Sequence, residues 1–134
     1  MIANLRGEGD RDLVLQASTG DYRLGRDVAA FSFEDLEGGE AEPLWSTDDF
    51  FPLAHGGLRV ADLDGDADLD VISSCYSESS IYWFENLDGA GTLWAQHDLE
   101  TERNSAEAHV AEIDGDGDMD VISAEQGRIG RWEE

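Results

Sequence analysis

One stretch limits what this chain can fold into more than any other: Ala61-Asp62-Leu63-Asp64-Gly65-Asp66-Ala67-Asp68-Leu69-Asp70-Val71-Ile72-Ser73. It sets five aspartates on alternating positions, with a glycine between the second and the third. A compact turn that gathers Asp62, Asp64, Asp66 and Asp70 puts carboxylates about 5 Å apart, and at an effective dielectric of 20 each such pair repels by roughly 3 kcal/mol. The loop therefore needs a cation to close. A hard divalent ion suits it, since calcium takes about six to eight oxygen ligands and tolerates irregular geometry.

The pattern recurs. Ala111-Glu112-Ile113-Asp114-Gly115-Asp116-Gly117-Asp118-Met119-Asp120-Val121-Ile122-Ser123 repeats it nearly letter for letter. Ala3-Asn4-Leu5-Arg6-Gly7-Glu8-Gly9-Asp10-Arg11-Asp12-Leu13-Val14-Leu15 keeps a glycine, the last two aspartates and the apolar exit, but loses the earlier acids. Repetition at a spacing of about 40 to 60 residues is the mark of a solenoid, an array or a propeller.

Apolar periodicity is close to two throughout, and no window of a dozen residues has helical spacing, so the chain reads as all-β. In the middle repeat, strands are expected at Gly57 to Asp62, Leu69 to Ser74, Ser80 to Asn86 and Leu93 to Leu99, with a turn signal at Leu87-Asp88-Gly89-Ala90-Gly91. Together they make a four-stranded antiparallel unit. By the same template the first repeat has strands at Asp12 to Ala17, Val28 to Glu34 and Leu44 to Phe50. The third has them at Glu107 to Glu112, Met119 to Ala124 and Arg128 to Glu133. The reading is one repeat domain over 1–134, with units at about 1–51, 55–100 and 105–134 and both ends falling inside a repeat.

Charge narrows the partners. Thirty-two acids face eight bases, a formal net charge of −24, and the long-range field disfavours nucleic acid or an anionic membrane. All eight bases are arginine. A protein of high-salt surroundings carries such a surface; so does a calcium-loaded extracellular protein from a genome poor in lysine codons. The single cysteine, Cys75, excludes an internal disulfide framework and reads as a small, partly buried apolar residue. No signal-peptide pattern is read and no apolar run approaches about 18 residues, so no membrane insertion is expected.

The acidic loop, followed by Ile81-Tyr82-Trp83-Phe84-Glu85-Asn86 and a short strand, resembles the FG-GAP/VCBS repeat family, the blades of integrin-α-like β-propellers. Phe33-Glu34-Asp35 and Leu44-Trp45 in the first repeat parallel Phe84-Glu85-Asn86 and Leu93-Trp94 in the second. The resemblance implies a β-propeller-like array of about three four-stranded antiparallel blades, incomplete at both ends. It also implies calcium in two loops. In the middle loop the ligands would be Asp62, Asp64, Asp66, the carbonyl of Asp68, and Asp70. In the third they would be Glu112, Asp114, Asp116, the carbonyl of Asp118, and Asp120. The first loop has Arg6 at loop position 3, where the other two loops have Asp64 and Asp114, and this permanent cation cannot ligate a metal. This site is expected to be empty, with the Arg6 guanidinium near Glu8 or Asp12 in place of the ion, or else turned to solvent.

An EF-hand is excluded, because it needs a glutamate at position 12 and flanking helices, whereas Ser73 and Ser123 stand there between strands. No catalytic constellation, phosphate loop or zinc spacing is present, and His55, His97 and His109 share no repeat position, so no enzyme is expected. Trp45 and Trp94 share one repeat position and read as packing between blades. A propeller typically closes with about four to eight blades, and uncovered blades expose apolar faces and strand edges. Closure by a homo-oligomer is the favoured answer, beside a segment of a longer propeller and a head-to-tail array. The function read from this is an extracellular or cell-surface binding or adhesion module with a protein or glycan ligand. The alternatives are a carbohydrate-binding lectin and an accessory segment of a larger secreted enzyme.

Overall fold

The computed structural model describes residues 2–6, 12–18, 26–32, 45–46, 57–75, 80–100, 105–117, 119–125 and 128–132. These form antiparallel strands throughout, without a helix among the described residues. The first sheet is β1 (Ile2–Ala3), β2 (Asp12–Ser18), β3 (Arg26–Ser32) and β4 (Trp45–Ser46). The second is β5 (Leu58–Ala61), β6 (Asp70–Cys75), β7 (Ser80–Asn86) and β8 (Trp94–Glu100). The third is β9 (Ser105–Ala111), β10 (Asp120–Glu125) and β11 (Arg128–Trp132). Within each sheet the strands lie side by side in chain order, a simple meander.

The sequence boundaries hold to within two residues over the second and third sheets. β9 starts two residues before the expected Glu107, because β10 runs on to Glu125, which pairs with Ser105 across a bulge. β3 starts at Arg26 rather than Val28, its partner β2 reaching Ser18. The expected strand Leu44 to Phe50 is seen only as Trp45–Ser46, its remainder lying outside the described residues.

Four consecutive apolar residues in β7, Ile81 to Phe84, are all buried. Side chains of a strand alternate between faces, so a run without polar breaks requires cover on both sides of the second sheet. That cover comes from the neighbouring repeats. On one face Tyr82 and Phe84, their rings stacked 6.5 Å apart, pack with Val71 and with Leu5 from the first acidic loop. On the other, Ile81, Trp83 and Ile72 pack with Leu63 from the middle loop and with Ala108 and Val121 of the third sheet. Half-buried Trp94 joins the first of these clusters, which places it between repeats as its sequence position indicates. The side chains of Trp45 and Cys75 lie outside the description.

Leu5, Leu63 and Ile113 occupy one repeat position, the apolar residue after the first loop position (Asn4, Asp62 and Glu112). Leu63 is 3% exposed and Ile113 48%. Register makes Ile129 the counterpart of Ile81, since Ile81 pairs with Ser74 and Ile129 with Ala124, fifty residues on. Ile81 is fully buried; Ile129 is 80% exposed. The third sheet thus covers an apolar face of the second and presents the equivalent face of its own uncovered. Truncation should follow this difference. Leu63→Ala is expected to lower unfolding free energy by about 2–5 kcal/mol, the usual loss for a buried leucine, and Ile113→Ala by no more than about 0.5 kcal/mol. Urea unfolding of the two variants at low protein concentration checks this; equal losses would contradict the packing.

Candidate metal centre

Both acidic loops connect the first two strands of a sheet, residues 62–69 between β5 and β6 and residues 112–119 between β9 and β10. Each is closed by its last aspartate. Asp70 Oδ2 accepts the Leu63 N–H at 3.1 Å, and Asp120 Oδ2 accepts the Ile113 N–H at 2.9 Å. The first loop has the same clip, Leu5 N–H to Asp12 Oδ2 at 2.9 Å. These three aspartates are buried, and a buried carboxylate requires such donors. Asp70 Oδ1 accepts a further N–H, from Asn86, at 2.9 Å.

Ahead of the clip the backbone turns through left-handed positions at Gly65 (φ 76°) and Ala67 (φ 77°), matched by Gly115 (φ 85°) and Gly117 (φ 103°). The turn aims successive N–H groups at the loop's own carboxylates. Gly65 N–H donates to Asp62 Oδ1 at 2.9 Å and Ala67 N–H to Asp62 Oδ2 at 3.0 Å. Asp66 N–H reaches Asp64 Oδ1 at 3.2 Å, and Asp68 N–H reaches Asp66 Oδ1 at 2.8 Å. In the third loop Gly115 N–H donates to Glu112, whose extra methylene is thereby accommodated, and Asp116 N–H to Asp114 Oδ1 at 3.1 Å. Ala67 is the one non-glycine among the described residues with positive φ, a strain of about 1–2 kcal/mol for an L-residue. Ala67→Gly, the residue the third loop already has, is expected to stabilise the protein by about 0.5–1 kcal/mol once the added flexibility of the unfolded chain is subtracted. Thermal unfolding measures it, and a loss of stability would contradict the assigned backbone.

Asp62, Asp64 and Asp66 each bring a carboxylate oxygen into one group whose atoms lie within 4.8 Å of one another, and Glu112, Asp114 and Asp116 do the same. Asp68 does not join its triad: its carboxylate rests against Gly89 (φ 59°) in the β7–β8 turn, where a Cβ would have no room. Asp70 and Asp120 face inward, behind the triads, as the loop clips. Asp118 lies outside the described residues.

The two triads differ electrically. Around the middle loop burial raises the pKa of Asp64, with the charge of Asp66 adding to it. Burial also raises that of Asp68, with the charges of Asp66, Asp62 and Asp88 adding. Burial pushes Asp70 up to about 6, against the pull of the Asn86 and Leu63 N–H groups. Asp114, the counterpart of Asp64, moves the other way: the Arg131 guanidinium hydrogen-bonded to it holds its carboxyl below the usual range. Arg131 was not singled out in the sequence, because only strand register brings β11 against the loop.

In the first loop the Arg6 guanidinium sits on Asp12, Nε and Nη2 both 2.9 Å from Oδ1. This is one of the two places the sequence reading gave it. Glu8, the other, lies outside the described residues.

The donor set of both triads is all oxygen and all anionic, without histidine or thiolate, which fits a hard cation of calcium type rather than zinc. A cleft of about 440 Å³ opens between the two loops, lined by Val60, Ala61, Asp62, Leu69, Val110 and Met119 among others.

Comparison with known proteins matches residues 62–123 to the FG-GAP-like repeat. The match runs from the first acid of the middle loop to just past the third loop and so spans both triads. No curated protein and no solved structure matches the chain.

Proposed function

Because residues 62–123 make this chain a carrier of the FG-GAP-like repeat, we propose that it is a non-enzymatic, calcium-binding, β-propeller-like scaffold for extracellular binding or adhesion, its ring closed by self-association. The observation that carries this is the pair of carboxylate triads, one repeat apart, each built on the same N–H-lined turn. Calcium would be held by Asp62, Asp64 and Asp66 with the Asp68 carbonyl, and by Glu112, Asp114 and Asp116 with the Asp118 carbonyl. Asp70 and Asp120 complete each loop from behind, either as direct ligands or as the clips seen here. Bound calcium supplies positive charge that cancels the mutual repulsion of the triads; the chain supplies the fixed turn, so the ion stiffens an edge of each sheet.

Extracellular placement is supported by the repeat type, and no helix among the described residues is long and apolar enough to cross a membrane. Self-association is supported by the uncovered third sheet, whose Ile113 and Ile129 repeat the positions that the third sheet buries on the second. The cleft between the loops gives a second reading its footing, that of a carbohydrate binder with the sugar seated between repeats.

The test is calcium titration by calorimetry on the wild-type chain, Asp66→Asn and Asp116→Asn, together with mass in solution by sedimentation with and without chelator. Two ions per chain, one lost in each variant, and a calcium-dependent oligomer support the proposal. A calcium-independent monomer would overturn the ring, and no heat of binding at millimolar calcium would overturn the metal sites. A glycan array on the calcium-loaded protein decides the second reading.

A further inference from the structure

We infer that Arg131 is a resident cation of the third loop, which calcium must displace, so that two loops of nearly identical sequence take the ion with unequal affinity. This rests on the calcium reading above. Arg131 Nη2 donates to Asp114 Oδ2 at 2.8 Å and to Asp120 Oδ1 at 3.0 Å, with Nε 3.3 Å from the latter oxygen. One guanidinium therefore ties a member of the exposed triad to the buried clip.

The same place in the second sheet is neutral. Val71 pairs with Phe84 and Val121 with Trp132, so Arg131 and Trp83 hold one repeat position. Among the described residues no cationic side chain is bonded to Asp62, Asp64, Asp66 or Asp70. The middle loop therefore meets calcium with its repulsion unrelieved.

The first loop reaches the third loop's arrangement by another route. Arg6 comes from the loop itself rather than from a third strand, yet its guanidinium lies on Asp12, the counterpart of Asp120. Arginines from two unrelated sequence positions converge on the same inward aspartate, which identifies that spot as one that draws a cation. At Asp12 no acidic triad surrounds the pair among the described residues. At Asp120 the same guanidinium also holds Asp114, a member of a complete triad. The third loop thus combines a calcium site with a guanidinium that holds one of its ligands.

Arg131 is able to leave. Its side chain is 33% exposed, so it swings to solvent without opening the sheet. Calcium entering the third loop gives up charge-assisted hydrogen bonds that the middle loop never had. Bonds of that kind correspond to about tenfold or more in affinity. At limiting calcium the middle loop fills first and the third responds at higher concentration.

Calorimetric calcium titration of the wild-type chain, Arg131→Gln and Arg131→Lys tests this, with Asp66→Asn and Asp116→Asn assigning the two steps. Melting of each protein in chelator is measured alongside. The wild type is expected to show two steps at least about tenfold apart, the weaker one absent in Asp116→Asn. Arg131→Gln is expected to tighten the weaker step about tenfold and leave the stronger unchanged. In chelator it should melt a few degrees lower than wild type, a loss that calcium restores. Arg131→Lys, which keeps the charge but not the planar fork, should fall between. Equal steps in the wild type, or a weaker step unmoved by Arg131→Gln, would overturn the inference. No binding to the wild type would instead overturn the calcium reading. The resident-cation assignment would then be judged by melting in chelator alone, where no change in Arg131→Gln would overturn it.

Discussion

Chelation of calcium is expected to lower the melting temperature by about 15 °C. The ion binds the closed loop and not the unfolded chain, so each occupied site adds RT ln(1 + [L]/Kd) to stability. At a calcium concentration a hundred times the dissociation constant of the middle loop, that loop contributes about 2.7 kcal/mol. A third loop tenfold weaker contributes about 1.4 kcal/mol. In a domain of this size each kcal/mol moves the midpoint by roughly 3–4 °C. The chain's net charge of −24 acts in the same direction, since unshielded acids oppose the compact state. Calorimetric scans in calcium and in chelator, at equal ionic strength, give the difference. Coincident curves would remove calcium from the account of folding.

Arg6→Met is expected to destabilise the protein by about 3 kcal/mol, and calcium should not restore the loss. Asp12 is fully buried, and Arg6 supplies two of the donors facing its Oδ1. Removing one partner of a buried pair leaves the other charge uncompensated, at a cost of roughly 3–5 kcal/mol; the exposed outer part of Arg6 places this case at the low end. Asp12 keeps the Leu5 N–H, so the loop clip survives while its charge goes unanswered. Urea unfolding in saturating calcium and in chelator should show the same decrement in both. Rescue by calcium would mean that the first loop holds an ion after all. The pair of predictions separates two ways of meeting one need: a divalent ion in the acidic loops and a guanidinium in the loop that has lost its acids.

Much of this was legible in the sequence because the repeat prints it three times. β7 falls at Ser80–Asn86 as read, since an aromatic run between two turn signals leaves little choice. The loops were legible for a related reason: Gly65 and Gly115 recur at the first step where the backbone takes a positive φ before an acidic residue.

What the sequence did not separate were the aspartates themselves. Asp66, Asp68 and Asp70 look alike in a string of alternating acids, yet one faces outward in a triad, one lies on Gly89 and one is buried as a clip. Closure of the loop decides this, because only the last aspartate comes within reach of both the Leu63 and Asn86 N–H groups.

Asn86 shows the same limit. Its place in the aromatic-Glu-Asn run was plain, but its work was not. It is fully buried, donating from Nδ2 to the Leu5 carbonyl at 2.9 Å and accepting the Gly91 N–H at 3.1 Å. It thereby ties the first loop, the middle repeat and the β7–β8 turn together, across 81 residues of chain. Arg131 escaped notice because a strand register, and not a spacing, carries it to Asp114.

The most direct test of the account is a crystal structure of the protein grown in millimolar calcium, with anomalous scattering used to place the ions. Calcium is expected in both acidic loops at about 2.3–2.6 Å from carboxylate oxygens of Asp62, Asp64 and Asp66 and of Glu112, Asp114 and Asp116, with Arg131 moved off Asp114 and the Arg6–Asp12 pair unchanged. Both loops lined by water alone, with the aspartates splayed to solvent, would contradict it.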